Sequence, residues 1–183
     1  AVADALGGAF YPLDEARDTG RVVLMPGDEA GERLVLDFAA MRGERIEIDL
    51  LARDFTINAM AVDEQSAVID VTGGLDDIEN GIVRAVSDQT FQDDALRLLR
   101  AVRVEAGLGF EIEPETAGWM RRDAALLAQP SEERVRDEMM RILILPGAGA
   151  AVRRLDAFGL LAGVMPELET LKGVEQSPPH QHD

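Results

Sequence analysis

Apolar and polar residues alternate in two short stretches near the start of the chain, Arg21-Val22-Val23-Leu24-Met25 and Leu34-Val35-Leu36-Asp37-Phe38. A period of two predicts paired β-strands, joined across Pro26-Gly27-Asp28-Glu29-Ala30-Gly31. A further strand is expected over 67–71, a short helix from Val2 to Leu6 and a helix-like segment over 46–60. After about residue 83 the period becomes that of a helix. Helices are expected near 91–107, near 114–127 opened by Pro114, near 131–145 with Ser131 as N-cap, and near 148–158 stopped at Gly159. Arg134 stands where a capping box has Glu, but Glu132 and Glu133 still suit the positive end of the helix dipole. Gly73-Gly74, after Asp70, marks a turn that needs positive φ or close backbone approach. The pattern as a whole predicts an α+β fold, strands with helices first and helices afterwards.

The segment Asp93-Asp94-Ala95-Leu96-Arg97-Leu98-Leu99-Arg100-Ala101-Val102-Arg103 carries the most specific chemistry. On one helix turning about 100° per residue, Asp94 lies about 60° to one side of Arg97, with Arg100 and Arg103 about 60° and 120° to the other. Phe91, Ala95, Leu98, Leu99, Val102 and Ala106 fill the opposite stripe, which is expected to be buried. A carboxylate beside a guanidinium can read a base edge. Asp94 would accept from an exocyclic amine and Arg97 would donate to the adjacent ring nitrogen, which suits cytosine and adenine and opposes uracil and guanine. Arg100 and Arg103 would then fork onto phosphate oxygens. The spacing equally suits an ion pair on a solvated helix face, worth about 0.2–0.5 kcal/mol.

Two further segments precede that helix in order: Arg53-Asp54-Phe55-Thr56-Ile57-Asn58-Ala59-Met60-Ala61, and Asp70-Val71-Thr72-Gly73-Gly74-Leu75-Asp76-Asp77-Ile78. Together the three motifs resemble the class II tRNA nucleotidyltransferase and bacterial poly(A) polymerase family, and the likeness runs through essentially the whole chain. It implies a partial nucleotidyltransferase head, a mixed β-sheet with helices, over residues 1–83. A helical neck that reads the nucleotide and binds RNA would follow over 84–145, and the start of a helical body with the stump of an HD-like domain over 146–183. Gly73-Gly74 would hinge head to neck.

The resemblance also implies roles. Arg53 matches an arginine that contacts the bound nucleotide, and Asp54 and Asn58 match residues that shape its pocket. Asp94 and Arg97 match the amino-acid template that selects C and A, and Arg100 and Arg103 match arginines on the phosphate side. Arg134 falls in a motif that steadies the neck. Asp37, on its strand, matches an acid that joins an Asp-x-Asp pair to bind two Mg²⁺ ions, which align the RNA 3′ hydroxyl and neutralise departing pyrophosphate. A strand-end carboxylate facing solvent remains the alternative for Asp37. Asp93 replaces the family's usual Glu and keeps its charge, whereas Ala52 replaces a frequent second Arg and removes one contact. The implied activity is template-independent addition of CMP or AMP to RNA 3′ ends, as tRNA CCA addition or polyadenylation, with ATP and CTP as substrates.

No Asp-x-Asp pair occurs upstream of Asp37, so the chain is expected to begin after the metal-binding strand and to be inactive alone. At its other end, Ser177-Pro178-Pro179-His180-Gln181-His182-Asp183 resembles the opening of an HD domain, and a single His-Asp doublet cannot complete a metal site.

Composition fits a cytoplasmic globular protein: 46% hydrophobic residues and no Cys in 183, with no apolar run of membrane length and no signal-peptide pattern. The net charge of −17 opposes a generic polyanion-binding surface. Its distribution narrows that objection, because residues 1–83 carry 6 Arg against 18 acids while residues 84–154 carry 11 Arg against 12. Any RNA contact is therefore expected in the helical middle. Two other readings stand beside the transferase: a non-catalytic nucleotide- or RNA-binding module, and part of an HD-domain phosphohydrolase.

Overall fold

A computed structural model describes residues 2–14, 18–24 and 33–174 of the chain. The expected turn over 26–31, Met25 at the end of its strand, and the His180 to Asp183 tail lie outside the described residues. The fold is α+β, in two compact units, Ala1–Asp49 and Leu50–Asp183.

The first unit opens with the expected helix α1 (Val2–Leu6), followed by β1 (Ala9–Asp14), β2 (Thr19–Leu24) and β3 (Leu34–Ala39). They form an antiparallel sheet in the order β1-β2-β3, with Val22 opposite Leu36 and Arg21 opposite Asp37. The strand β1 was not expected. Pro12 breaks its alternation, and the strand survives because it is an edge, irregular in register between Pro12 and Asp14. Val22 and Ala3 are this unit's buried apolar side chains among those described.

Helix α2 (Ile46–Leu51) is shorter than the expected 46–60 segment. Beyond it the chain is extended at Phe55, turns through a single 3₁₀ turn at Thr56–Asn58, and enters the hairpin of β4 (Met60–Val62) and β5 (Val68–Asp70). The cause is tertiary. The Thr56 N–H donates to the Arg84 carbonyl and the Val86 N–H to the Asp54 carbonyl, a two-way bridge that draws 54–56 out of helix.

Helix α3 (Gly74–Asn80) leads to β6 (Ile82–Val83), whose partner, parallel to it, is β7 (Glu111–Ile112). Between them run α4 (Thr90–Asp93) and α5 (Arg97–Leu108), so the single helix expected over 91–107 is broken at residues 94–96. Then come α6 (Pro114–Asp123), a 3₁₀ stretch at Ala124–Ala128, α7 (Glu132–Leu143), α8 (Ala148–Ala157), α9 (Leu161–Val164) and α10 (Pro166–Glu169). Ser131 is the N-cap of α7 by backbone geometry, without a side-chain cap bond, and Gly159 takes φ of 74° just past α8.

The second unit's core joins Phe55 and Val83 to the α5 stripe, with Phe91, Leu98, Leu99 and Val102 fully enclosed against Met120, Ile142, Leu155 and Phe158. The expected stripe is therefore the buried one, and residues 50–83 share a core with the helices that follow.

Candidate functional site

The segment 53–58 is fixed from beneath by α3. Gly73 takes φ of 78°, and a Cβ on Gly74 would stand 2.3 Å from the Thr56 carbonyl oxygen, so both glycines are required where they stand. The Thr56 hydroxyl donates to buried Asp77 at 2.6 Å, and Arg84 forks onto the same carboxylate. This anchoring sets Asp54, whose Oδ1 accepts from the Phe55 N–H at 2.9 Å and more weakly from Asn58 at 3.4 Å. Its Oδ2 lies 2.8 Å from Arg100 Nη2 without an aligned hydrogen bond, an ion pair by proximity.

Asp94 is the C-cap that follows α4, in extended conformation, and not a member of the α5 face. Its Oδ1 accepts from the Leu96 N–H at 3.1 Å and its Oδ2 from Arg134 at 2.7 Å. Partial burial acts to raise the Asp94 carboxyl, but hydrogen bonds from Arg134 and Leu96, with the charges of Arg134 and Arg97, outweigh it and hold its pKa below the ordinary value.

Arg97, expected on a polar half-circle, is buried. It opens α5, where side chains lean back toward the N-terminus. There Nη2 donates to the Ala52 carbonyl at 2.9 Å, and Nη1 to those of Thr90 at 3.2 Å and Arg53 at 3.4 Å. One guanidinium thus ties the backbone of the 53–58 motif to the start of α5. Asp93 approaches it only to 4.0 Å. The expected Asp94 and Arg97 base-reading pair is near in sequence, but in this structure each is engaged by other parts of the chain.

Arg100 and Arg103 do share a face with Asn58, along an open cleft of about 570 Å³. Sequence reasoning missed Arg141, which lines the same cleft from α7. The signal was available: Arg134, Glu138 and Arg141 recur at spacings of four and three, one face of a helix. Glu138 is 2% exposed and holds both Arg103 and Arg141, the latter at 3.2 Å. Arg53 is exposed at the start of its motif.

Asp37, in the other unit, is bound through both oxygens by Arg21, at 2.6 and 2.8 Å, which lowers its pKa. Among the described residues no three His, Cys, Asp or Glu side chains cluster as a metal site, so these residues alone do not fit a two-ion centre.

Residues 27–84 match the family model described as "Poly A polymerase head domain", and residues 109–172 match "Probable RNA and SrmB- binding site of polymerase A". A "CC-adding tRNA nucleotidyltransferase" of Geobacter sulfurreducens is 42% identical over 165 residues, covering 90% of this chain and 37% of the relative.

The chain belongs to the class II tRNA nucleotidyltransferase family.

Within that family, an "A-adding tRNA nucleotidyltransferase" of Deinococcus radiodurans is 38% identical over 188 residues, covering 100% of this chain and 42% of the relative. The crystal structure of the Bacillus stearothermophilus CCA-adding enzyme in complex with CTP superposes with a TM-score of 0.76 at 32% identity, over 90% of this chain and 43% of that one. The chain therefore spans about two fifths of the length of these family members. The two sequence relatives are named for adding different nucleotides.

Proposed function

We propose that the chain is the nucleotide-selecting part of an enzyme that adds CMP or AMP, without a nucleic-acid template, to the 3′ end of tRNA in the cytoplasm. CTP and ATP are the donors and tRNA the acceptor. The observation that carries this reading is the joining of two distant motifs, with Asp54 against Arg100 at 2.8 Å and Arg97 on the Ala52 and Arg53 carbonyls. The candidate nucleotide-contacting residues of both motifs are thereby held in one place by hydrogen bonds and ion pairs within the chain, and residues so held lower the ordering cost of binding.

In this reading Asp94 sorts the base and Arg53, Arg100 and Arg103 take the phosphates, with Asp54 and Asn58 shaping the floor; Arg97, expected to read the base beside Asp94, instead holds the 52–53 backbone against the start of α5. Each carboxylate oxygen offers two lone-pair directions, so Asp94 can keep Arg134 and Leu96 while accepting from an exocyclic amine. A divalent metal, which the family implies, would supply charge neutralisation at the departing pyrophosphate when bound. Asp37 is the candidate ligand in this chain and would have to leave Arg21 to serve. The relatives are named as transferases, which favours this reading over the binding-module and HD-phosphohydrolase ones.

The deciding experiment incubates the full-length protein with tRNA lacking its 3′ CCA and each labelled nucleoside triphosphate in turn. Incorporation of C, A or both is the expected result. Incorporation of U and G at the same rate, or of none, would sink the reading.

A further inference from the structure

The cleft beside Arg103 has more in it than a triphosphate uses. Asn58, Arg100 and Arg103 line one side, Arg141 faces them from α7, and Leu108 and Ile144 form its lip. No carboxylate lines it among the described residues, although the whole chain carries −17. Glu138 lies behind the surface, enclosed, and binds both Arg103 and Arg141, so the guanidiniums of two helices are held side by side with their outer edges to the cleft. Arg141 is 64% exposed, Leu108 57% and Ile144 75%.

We propose that Arg141 and the Leu108 and Ile144 lip seat the RNA strand next to its reacting 3′ end, Arg141 on a backbone phosphate and the lip against the face of a base or ribose. The inference rests on the transferase reading above. Position along α7 supports it. Arg134, which holds Asp94, and Arg141 are seven residues and about 10 Å apart on one helix face. A nucleotide whose base lies at Asp94 already meets Arg100 and Arg103 with its phosphates, leaving Arg141 for another group. The lip supports it chemically. A phosphate gains nothing from aliphatic carbon, whereas a cationic groove edged by apolar surface is how single-stranded nucleic acid is held without reading its sequence. Arg141 and Ile144 also fall in the stretch whose family description is RNA binding.

The test measures binding of CCA-less tRNA to the full-length protein across a salt series, with CTP binding measured separately without RNA. Arg141→Gln is expected to weaken tRNA binding about tenfold at low salt and to flatten the salt slope by about 0.7–0.9, the loss of one phosphate contact. CTP affinity should stay as it is. Ile144→Ser, which removes no partner of those ion pairs, should weaken tRNA severalfold with the slope unchanged. Arg103 remains on Glu138 in Arg141→Gln, so folding is expected to hold, and if it does not, Ile144→Ser decides alone. A raised CTP dissociation constant with an unaltered tRNA slope overturns the proposal, because Arg141 would then belong to the triphosphate. No change in either variant also overturns it. If the wild-type protein neither binds nor extends tRNA, the transferase reading fails first and this inference with it; a wild type that extends tRNA normally beside two silent variants sinks this inference only.

Discussion

Asp94 and Arg134, forty residues apart, meet at 2.7 Å, so the carboxylate expected to sort bases is aimed by a guanidinium from a different helix. In the proposed reading Arg134 is a positioning residue, and selectivity would depend on the α4–α7 pairing as well as on Asp94 itself.

Selectivity is where the first prediction lies. Asp94→Ala in the full-length enzyme should remove the acceptor for the exocyclic amine and cost about 1–3 kcal/mol of discrimination, so that CTP and ATP lose most of their advantage over UTP and GTP. Arg100→Ala should weaken all four about equally, since a phosphate contact carries no base information. Steady-state kcat/KM for the four triphosphates checks both. A uniform loss in Asp94→Ala would leave only a structural ion pair.

The same carboxylate sets a pH dependence. Its pKa is depressed in the folded state, so its contribution to stability is present above the unfolded value of about 3.9 and lost as pH falls through the folded one. Wild type and Asp94→Asn should differ in denaturant midpoint at pH 7, by about 0.2–1 kcal/mol for a pair this exposed, and converge in acid as pH falls through the depressed pKa of Asp94. A gap that persists once the carboxyl is protonated in the folded state would mean that the amide fails for steric or hydrogen-bonding reasons unrelated to charge.

Arg97 makes a different prediction because its donors go to backbone. Lysine concentrates its charge at one point and cannot span the carbonyls of Ala52, Arg53 and Thr90, so Arg97→Lys leaves a buried carbonyl unpaired, at about 1–3 kcal/mol. The urea midpoint should fall and KM for every triphosphate should rise as the 52–53 backbone loosens. A variant of wild-type stability that changes only base preference would show that a base edge is the main partner of Arg97.

The sequence made the buried stripe of α5, the Gly73 turn and the Ser131 and Gly159 boundaries legible because each is local chemistry: periodicity, positive φ, caps. It did not show the break at 94–96. Ala95 and Leu96 are good helix formers, and the interruption comes from Asp94 bonding the Leu96 N–H, a local competitor to the helix ladder that only the fold selects. Treating 91–107 as one helix also placed Arg97 in solvent. The 46–60 segment misled for a similar reason, since its second half is drawn out by partners at Arg84 and Val86 that lie some thirty residues on. Arg100, Arg103 and Asn58 were singled out from their motifs and line one cleft, whereas the place of Arg141 in it depends on which face of α7 meets α5.

Asp37 separates chemistry from stability. Its bond to Arg21 is exposed on both sides, and exposed pairs contribute little. Asp37→Asn in the full-length enzyme should therefore melt within a degree or two of wild type, yet lose nucleotide addition by several orders of magnitude if the carboxylate serves a metal ion. CTP affinity should be nearly unchanged. Turnover close to wild type would leave Asp37 as a strand-end ion pair.

Gly74 and Gly73 are adjacent but constrained by different physics, and substitution separates them. At Gly73 a Cβ meets nothing within 4 Å, and only the φ of 78° is strained, so Gly73→Ala should cost about 1–2 kcal/mol and leave CTP binding alone. At Gly74 the Cβ would stand 2.3 Å from the Thr56 carbonyl oxygen and 2.9 Å from its carbon, both backbone atoms that cannot swing aside. The 3₁₀ turn must move instead, and that turn carries Asn58 and abuts Asp54. Gly74→Ala should cost about 1–3 kcal/mol or more as overpacking and, unlike Gly73→Ala, should raise the CTP dissociation constant. Urea midpoints and CTP titrations on the pair distinguish the two. Equal effects on CTP binding would show that the turn is not held in place by its contact with α3.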